Sequence, residues 1–453
     1  MKGNMRIKNH SVLVAVVLVF GFAAFTSCNK DNPPKEDPTY STLKEALNDI
    51  SLFSNIKENP DTGSEFDYKE QYSMFFTQDL DHSDEGGDTF RQKVCILFRG
   101  FDRPTIMVTE GYYFWGFRDA RDLGINLNAN MVHVEHRNYG ESYNEDFGRW
   151  EYQTIAQASA DLHAVYQALK PIFKGKWMSA GTSKSAETSI AYAYFYPQDM
   201  DLAASFCGPF VQGLDDQRFG EYFFNEVGTA EERDLMKTGI RHALENGEEG
   251  LYSYVSQQVE DDGLRVPGFS EYVFNVFDTY FQVFQYYTQI TGRKQYLEAM
   301  AADNEILATE VYTVLEDNRD EAFRSYFVEC AKEMGWQDNG YKYFQDLLEG
   351  TSFNKADVLP QVLEEEDRPV VKTYDGRVYE DIVNRFFFTS TCPLLLVYSH
   401  DDPWSAGKPE TVGSNVKVVM NPIGSHSPYL NDPDYCSEAT KKEVMDWVQT
   451  YIY

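Results

Sequence analysis

The chain has 453 residues and carries 72 Asp and Glu against 40 Lys and Arg, which gives a net charge of −32. So acidic a chain is not expected to bind nucleic acid or an anionic membrane surface, because both repel negative charge. The length suits one large α/β domain with an insertion, or two domains. The sequence contains no recognisable cofactor motif, and we predict neither a cofactor nor a metal.

The N-terminus has the pattern of an export signal over residues 1–27. Three basic residues precede an uncharged run at 11–25, which is short for a membrane span. Small residues then lead to Cys28, which is typical of a bacterial lipobox, with Phe25 where Leu is usual. We therefore expect cleavage before Cys28 and lipid attachment to it. The alternative is an ordinary signal peptide followed by a passive Cys.

Residues 28–45 are rich in Pro, Asp and Lys at their start and offer little to bury, so we interpret them as a lipid-anchored tether. An exported protein with such a tether is expected at the outer membrane, facing the periplasm or the cell surface. On this interpretation the lipid on Cys28 is the protein's only link to a membrane. The sequence does not indicate an oligomeric state.

Strand patterns begin with a long antiparallel hairpin over 65–101, with its turn at 83–88. An apolar strand at 104–108 follows and opens into Glu110-Gly111-Tyr112. In an α/β-hydrolase the loop at this position supplies one of the two backbone N–H groups that stabilise an oxyanion. Gly111 and Tyr112 are the candidates for this donor. The alternative is a simple glycine turn before the next helix.

The next apolar strand, 130–134, contains His133 and is followed by Glu135 and His136. The two His are spaced like metal ligands, but on a strand this spacing places them on opposite faces. We therefore do not predict a metal site here. A helical period of apolar residues over 153–172 then predicts an amphipathic helix.

The stretch 176–187 has the form of a nucleophile elbow, with Ser183 at a sharp strand-to-helix turn. Gly181 leaves room for the turn, whereas Ser185 stands where a second Gly is usual. The backbone N–H of Lys184, at the start of the helix, lies where an oxyanion would form. The alternative is an ordinary strand–turn–helix connection in which Ser183 caps the helix.

Two later apolar strands end in the other groups that a serine nucleophile needs. The run at 393–398 leads to Asp401 and Asp402, and the run at 416–420 leads to His426. A hydroxyl becomes a good nucleophile when a neutral imidazole accepts its proton and a carboxylate fixes the imidazole tautomer. The chain order Ser, Asp, His is that of α/β-hydrolases. The pattern alone allows either Asp.

Between these halves the strand pattern stops, and the sequence becomes helical, acidic and aromatic. Phe274, Phe277, Phe281 and Phe284 recur at steps of three and four, which predicts a helix packing an aromatic face. A stripe that contacts substrate is the alternative. A helical cap here would cover the site and exclude folded proteins. The sequence thus divides into core (46–211), cap (212–384) and core (385–453).

Several of these motifs together resemble one family. Glu135-His136-Arg137-x-Tyr139-Gly140-x-Ser142, Gly-x-Ser-Lys at 181–184, Asp402-Pro403-Trp404 and a late His426 are similar to the actinobacterial secreted tripeptidyl aminopeptidases. That family of serine peptidases is distantly similar to Pro-Xaa carboxypeptidase and dipeptidyl peptidase II. The resemblance implies an α/β-hydrolase fold with a helical cap and cleavage near a free N-terminus. It also implies Ser183 as nucleophile, Asp402 as orienting acid and His426 as base.

We therefore expect a secreted, lipid-anchored serine exopeptidase that releases di- or tripeptides from peptide substrates through an acyl-enzyme on Ser183. A bound α-ammonium needs a carboxylate, and Glu110 and Glu135 are candidates for it. Trp404 is a further candidate substrate-binding residue. An esterase on the same triad is one alternative. The other is a non-catalytic surface lipoprotein that binds glycans or peptides.

Overall fold

A computed structural model describes residues 40–59, 68, 70–84, 86–143, 150–286 and 290–453. The predicted signal peptide, Cys28 and most of the predicted tether lie outside these residues. Helix α1 (Leu43–Asn48) begins with a capping box between Thr42 and Glu45. The predicted tether therefore extends too far, because its last residues, 43–45, already belong to α1.

Nine strands form one sheet in the order β1-β2-β3-β5-β4-β6-β7-β8-β9. The first four strands in this order pair antiparallel, and the pairs from β5 to β9 are parallel. The strands are β1 (Phe53–Glu58), β2 (Glu70–Asp79), β3 (Thr89–Phe98), β4 (Thr105–Thr109), β5 (Asn130–Val134), β6 (Trp177–Thr182), β7 (Leu202–Phe206), β8 (Leu394–Ser399) and β9 (Val416–Asn421).

Sixteen α-helices are found in the described part of the chain, joined by short 3₁₀ and π turns. The first is α1, and the others are α2 (Arg121–Asn126), α3 (Ile155–Leu169), α4 (Lys184–Phe195), α5 (Gln217–Asn225), α6 (Ala230–Leu244), α7 (Leu251–Asp261), α8 (Phe269–Tyr286), α9 (Ile290–Ala302), α10 (Asn304–Asn318), α11 (Glu321–Glu329), α12 (Gln345–Leu348), α13 (Val358–Val362), α14 (Arg377–Asp381), α15 (Phe387–Thr389) and α16 (Glu438–Ile452). None of the helices in these ranges is long and apolar enough to cross a membrane.

The long hairpin that the sequence predicts is formed by β2 and β3. Their register runs without a break from Glu70 opposite Phe98 to Asp79 opposite Thr89. The edge strand β1 has no counterpart in the sequence analysis. Only Phe53 of β1 is buried, so the alternation of apolar and polar residues that marks a strand is missing there.

Most of the parallel strands are buried along their whole length because helices cover both faces of the sheet. Every residue of β4, β5, β7 and β8 is buried. The apolar core on one face includes Val165 of α3 and Ile190 of α4, and the core on the other face includes Leu123 of α2 and Val448 of α16. The sheet is thus the middle layer of three.

In the described residues of the insertion between β7 and β8, the regular elements are all helices, and one isolated bridge pairs Asp216 with Gln337. Three of the aromatic residues of α8, Phe277, Phe281 and Phe284, are fully buried against other rings, and the ring of Phe281 lies tilted against that of Phe223 at 4.1 Å between centroids. Of the four Phe residues predicted to share a face, only Phe274 lines the cavity described below. The interpretation as a packing face is therefore correct for three of the four residues.

Candidate active site

The turn between β6 and α4 holds Ser183 in a strained backbone conformation. Its φ is 61° and its ψ is −130°, a backbone region that residues other than Gly rarely adopt. Hydrogen bonds from Ser183 N to Phe206 O and from Ala186 N to Ser183 O, both 2.9 Å, stabilise the turn. The Ser183 side chain makes no capping bond to the helix. The alternative of an ordinary helix cap is therefore wrong, and the hydroxyl is left for another role.

Close packing explains the residues around this turn. A Cβ on Gly181 would overlap the side chain and backbone of Ser185. The Ser185 hydroxyl donates to the carbonyl of Thr109 at the end of β4, and Thr109 Oγ1 donates back to Ser185 O at 2.8 Å. Ser185 therefore replaces the usual Gly without opening the turn, because its side chain binds the neighbouring strand.

Asp402 and His426 follow β8 and β9 and meet beside the turn. Asp402 is fully buried, and its Oδ1 accepts a hydrogen bond from His426 Nδ1 at 3.0 Å. The N–H of Trp404, at 3.1 Å, and the hydroxyl of Ser405, at 3.2 Å, also donate to the carboxylate. These donors fix the carboxylate, which in turn assigns the imidazole proton to Nδ1.

The second ring nitrogen of His426 is left as a proton acceptor. Nε2 is buried and has no hydrogen-bond partner among the described residues. His426 and Ser183 line the same cavity. A neutral imidazole with its proton on Nδ1 presents a lone pair at Nε2, which is what a general base requires.

Asp401 has different partners from Asp402. Its carboxylate accepts from Arg293 Nη2 at 2.8 Å and from His400 Nδ1 at 2.9 Å. Arg293 belongs to α9 of the cap and also pairs with Glu232. Asp401 thus binds the cap, and only Asp402 reaches the imidazole of His426.

The residues predicted for the oxyanion site lie together at the N-terminus of α4. A Cβ on Gly111 would overlap Ser185 N and lie 2.7 Å from Lys184 C, so only Gly permits this approach. The Lys184 ammonium donates to Gly111 O at 2.6 Å. The peptide bond between Gly111 and Tyr112 is trans, so its C=O and N–H point in opposite directions. With the Gly111 carbonyl held by Lys184, the N–H of Tyr112 points away from the Lys184 ammonium.

The Lys184 side chain connects this site to the cap through a buried ion pair. Its Nζ lies 2.7 Å from Glu329 Oε2 at the end of α11. Glu329 also accepts from Tyr139 Oη at 3.0 Å and from Gln153 Nε2 at 2.6 Å. Burial alone would raise the pKa of Glu329, but the charge of Lys184, followed by that of His136, holds this pKa below its ordinary value.

The buried imidazole of His136 should make the stability of the protein depend on pH. Burial, and next the cation of Lys184, lower its pKa from 6.5 to about 4. As the pH falls from 6.5 to 4, the unfolded chain gains a proton here that the folded chain refuses, so stability is lost in that window. Urea unfolding at both pH values should show that the wild type loses about 3 kcal/mol more than His136→Asn. Equal losses in the two proteins would contradict this assignment.

One cavity of about 760 Å³ lies between the carboxyl ends of the strands and the cap. That volume is in the range of small-ligand sites. Ser183 and His426 form part of its floor, and side chains of α8, α10 and α11 form its roof. Of the predicted residues, those that line the cavity are Ser183, Lys184, His426, Gly111, Tyr112, Glu110 and Trp404.

The three predicted substrate-binding residues have different surroundings. Trp404 lines the cavity, and its Nε1 donates to Gln285 Oε1 of α8 at 2.7 Å. Glu110 also lines the cavity, but it is paired with His133 Nδ1 at 2.8 Å. Burial raises the pKa of Glu110 well above its ordinary value and lowers that of His133 to about 3. This pair is therefore uncharged overall.

The prediction for Glu135 is wrong. Its Oε1 accepts from Phe114 N at 2.9 Å, and its Oε2 accepts from Ser142 N at 2.8 Å and Ser142 Oγ at 2.7 Å. It is absent from the described lining of the cavity. The carboxylate thus holds two loops together and has no position facing substrate.

Potential metal ligands in the described ranges come together at one place. Ligand atoms of Cys207, Asp402 and His426 lie within 4.8 Å of one another. The hydrogen bond between Asp402 and His426 already uses two of these side chains, so the proposed triad and its neighbouring thiol account for the cluster. His133 and His136 point to different partners, Glu110 and Glu329. All five described Cys are free and buried.

Two features of the site were missed in the sequence analysis. The first is the contact of Lys184 with Glu329, two residues 145 positions apart that no shared motif connects. The second is Glu187 of α4, which lines the cavity while only 1% exposed. The sequence does contain a signal for Glu187. It is a charged residue one helical turn after the nucleophile, in a helix that is expected to pack against a sheet.

The sheet order, the strained Ser183 turn after β6 and the helical insertion before β8 define an α/β-hydrolase. The chain belongs to the PS-10 peptidase S37 family, which matches residues 36–448. It is a serine hydrolase of the aminopeptidase type, and the predicted resemblance to tripeptidyl aminopeptidases is confirmed. The chain is 25% identical over 423 residues to the prolyl tri/tetrapeptidyl aminopeptidase of Streptomyces mobaraensis, covering 89% of this chain and 84% of the relative.

Solved structures with similar folds were also found. The proline iminopeptidase of Mycobacterium smegmatis is 12% identical with a TM-score of 0.39, and the match covers 83% of this chain and 98% of that protein. A peroxisomal α/β-hydrolase of Saccharomyces cerevisiae is 9% identical with a TM-score of 0.40, and the match covers 85% and 91% of the two chains.

Proposed function

We propose that Ser183, His426 and Asp402 are the catalytic triad of this serine exopeptidase, which releases di- or tripeptides from free N-termini. One observation carries the proposal. A serine on a strained turn and an imidazole with an unpartnered Nε2 line the same covered cavity, and a buried carboxylate fixes the imidazole tautomer.

In the reaction that this geometry supports, Ser183 Oγ attacks the carbonyl carbon of the scissile bond while His426 Nε2 takes its proton. The negative oxygen that forms would accept from the N–H groups of Lys184 and Tyr112. His426 then gives the proton to the leaving amine, and water hydrolyses the acyl-enzyme on Ser183. Asp402 orients the ring and stabilises the imidazolium in each step.

The cover over the cavity and its acidic lining support release from an N-terminus. The helices of the cap cover the cavity on the side opposite the sheet, which restricts the access of folded proteins to Ser183. Acidic residues on several elements line the cavity, including Glu187, Asp278, Asp317 and Asp320. A peptide with a cationic end matches that lining better than one with a free carboxylate.

Acetylation of the substrate tests this terminus directly. A di- or tripeptidyl chromogenic substrate with a free amine should be cleaved with a kcat/KM about 30- to 1,000-fold above that of its N-acetyl form. That ratio corresponds to the 2–4 kcal/mol lost when a charged group loses its buried partner. The panel should include substrates with Pro before the cut, because the name of the Streptomyces relative specifies prolyl peptides.

The same panel separates the alternative functions. Equal turnover of the free and acetylated forms would point to an endopeptidase. Turnover of an acyl ester without any peptide cleavage would point to an esterase on the same triad. Binding of peptide or glycan with no turnover of either substrate would point to the non-catalytic lipoprotein.

We further propose that the protein is exported and anchored by a lipid on Cys28. The basic start, the uncharged run at 11–25 and the small residues before Cys28 support this proposal. Metabolic labelling with a clickable fatty acid should mark the wild type and leave Cys28→Ala unmarked. A Cys436→Ala variant is the matched control and should be labelled normally. Equal labelling of Cys28→Ala would contradict the site.

A further inference from the structure

Glu187 is a buried acid without a partner on the wall of the cavity. It lies in the first turn of α4, four residues after Ser183, and it is 1% exposed. Its Oε1 is buried and has no hydrogen-bond partner among the described residues. Buried carboxylates in native proteins are nearly always paired, so an unpaired one in a cavity points to a missing ligand.

The charges around Glu187 favour a cation as that ligand. Burial raises the pKa of Glu187 well above its ordinary value, the charge of Lys184 lowers it and that of Glu329 raises it. Lys184 and Glu329 neutralise each other at 2.7 Å. With that pair neutral, the raised pKa disfavours the ionised form of Glu187 while no cation is near, and one arriving cation would favour the carboxylate.

Aromatic rings complete the surroundings. Tyr112 and Tyr326 line the cavity close enough to Glu187 for its charge to contribute, after burial, to the raised pKa of both hydroxyls. Ring faces attract ammonium groups, and the attraction grows when water is excluded. A carboxylate near aromatic rings is a suitable site for a primary ammonium.

The other deeply placed acids of the cavity already have partners. Glu110 is paired with His133 at 2.8 Å. Asp119 accepts from Thr182 N at 3.1 Å and from Ala120 N at 3.1 Å. Asp278 accepts from Asn318 Nδ2 at 3.0 Å. Asp122 has one oxygen without a hydrogen bond, but that oxygen lies 3.6 Å from Arg121 Nε and the other accepts from Asn431 N at 2.9 Å. Among the described lining residues, Glu187 is thus the deeply buried acid whose carboxylate has neither a hydrogen bond nor an ion pair.

We propose that the Glu187 carboxylate binds the α-ammonium of the peptide substrate. The inference rests on the proposed function, because it names the group that would recognise the free N-terminus. One helical turn, about 5.4 Å, separates Glu187 from Ser183 along α4, and its side chain extends this span. An extended residue covers about 3.5 Å, so the spacing suits an acyl part of two or three residues.

The test compares Glu187→Gln with Glu310→Gln, which makes the same change at another glutamate of the cavity lining. Glu187→Gln should lower kcat/KM for a free-amine tripeptidyl substrate about 30-fold or more. Its kcat/KM for the acetylated form and its rate of fluorophosphonate labelling should stay within about twofold of the wild-type values. Glu310→Gln should change none of these. Glu187→Asp, which keeps the charge, should recover part of the preference for a free amine.

Stability provides a second readout that separates binding from folding. Replacing an unpaired buried acid by an uncharged amide should leave the Tm of Glu187→Gln equal to or above that of the wild type. A Glu187→Gln protein that keeps the wild-type ratio of free to acetylated turnover would overturn the assignment of Glu187 and leave the proposed function in place. A wild type without any preference for a free amine would overturn both.

Discussion

Ser183→Ala should abolish peptide hydrolysis, with kcat falling on the order of 10⁶-fold, the loss measured when a serine triad loses its nucleophile. The reason is geometric. Ser183 stands on the strained turn and lines the cavity shared with His426, whereas the hydroxyl of Ser185, which also lines it, is bound to Thr109 O. Steady-state kinetics with a free-amine peptide substrate, together with fluorophosphonate labelling, measures the effect.

The control for this experiment lies two residues further along the chain. Ser185→Ala should still be labelled by the fluorophosphonate, because the Ser185 hydroxyl is bound to Thr109 O and faces β4. His426→Ala should lose about as much activity as Ser183→Ala, and the double variant little more, because the two residues act as one unit. Normal turnover by Ser183→Ala would contradict the proposed triad.

Asp402→Asn should lower kcat on the order of 10³- to 10⁴-fold while the protein stays folded. An amide oxygen can still accept from Trp404 N, so the loop after β8 should keep its conformation. The amide cannot hold His426 with its proton on Nδ1, however, and Nε2 would no longer present a lone pair to Ser183. The measurement is kcat for the free-amine substrate, with the Tm of the variant to show that it folds.

Asp401→Asn is the matched comparison, since the two acids are adjacent and only their partners differ. Loss of the Asp401 charge weakens the contact with Arg293 of the cap but leaves the hydrogen bond between Asp402 and His426 intact. The variant should therefore be less stable and keep most of its kcat. A larger loss of kcat in Asp401→Asn than in Asp402→Asn would reverse the assignment of the orienting acid.

The sequence predicted the strands of the sheet well where they are buried on both faces or pair in a long hairpin. The five central parallel strands are continuous apolar runs, and β2 and β3 flank a turn rich in Gly and Asp. The sequence did not predict β1, because pairing with β2 rather than its own side chains defines that strand. It could not place the end of the tether either, since α1 is short and only its capping box marks its start.

The candidate site was predictable to the extent that each group stands at the end of a strand. Ser183, Asp402 and His426 each follow an apolar run, and parallel strands bring their carboxyl ends to one edge of the sheet. The partners of Lys184 and of Glu135 depend on contacts between distant segments. Without those contacts Glu135 was a candidate for binding the substrate ammonium, although its carboxylate accepts from Phe114 and Ser142.

The position of the insertion also has a consequence for how the protein folds. β7 pairs directly with β8, with Phe206 opposite Val397, although the whole cap separates them along the chain. Closing so long a loop costs entropy before the pairing returns any stability, so β8 and β9 are expected to join the sheet late. Asp402 and His426 arrive with these two strands. During refolding, catalytic activity should therefore return only with the slowest kinetic phase, after most of the secondary structure has formed.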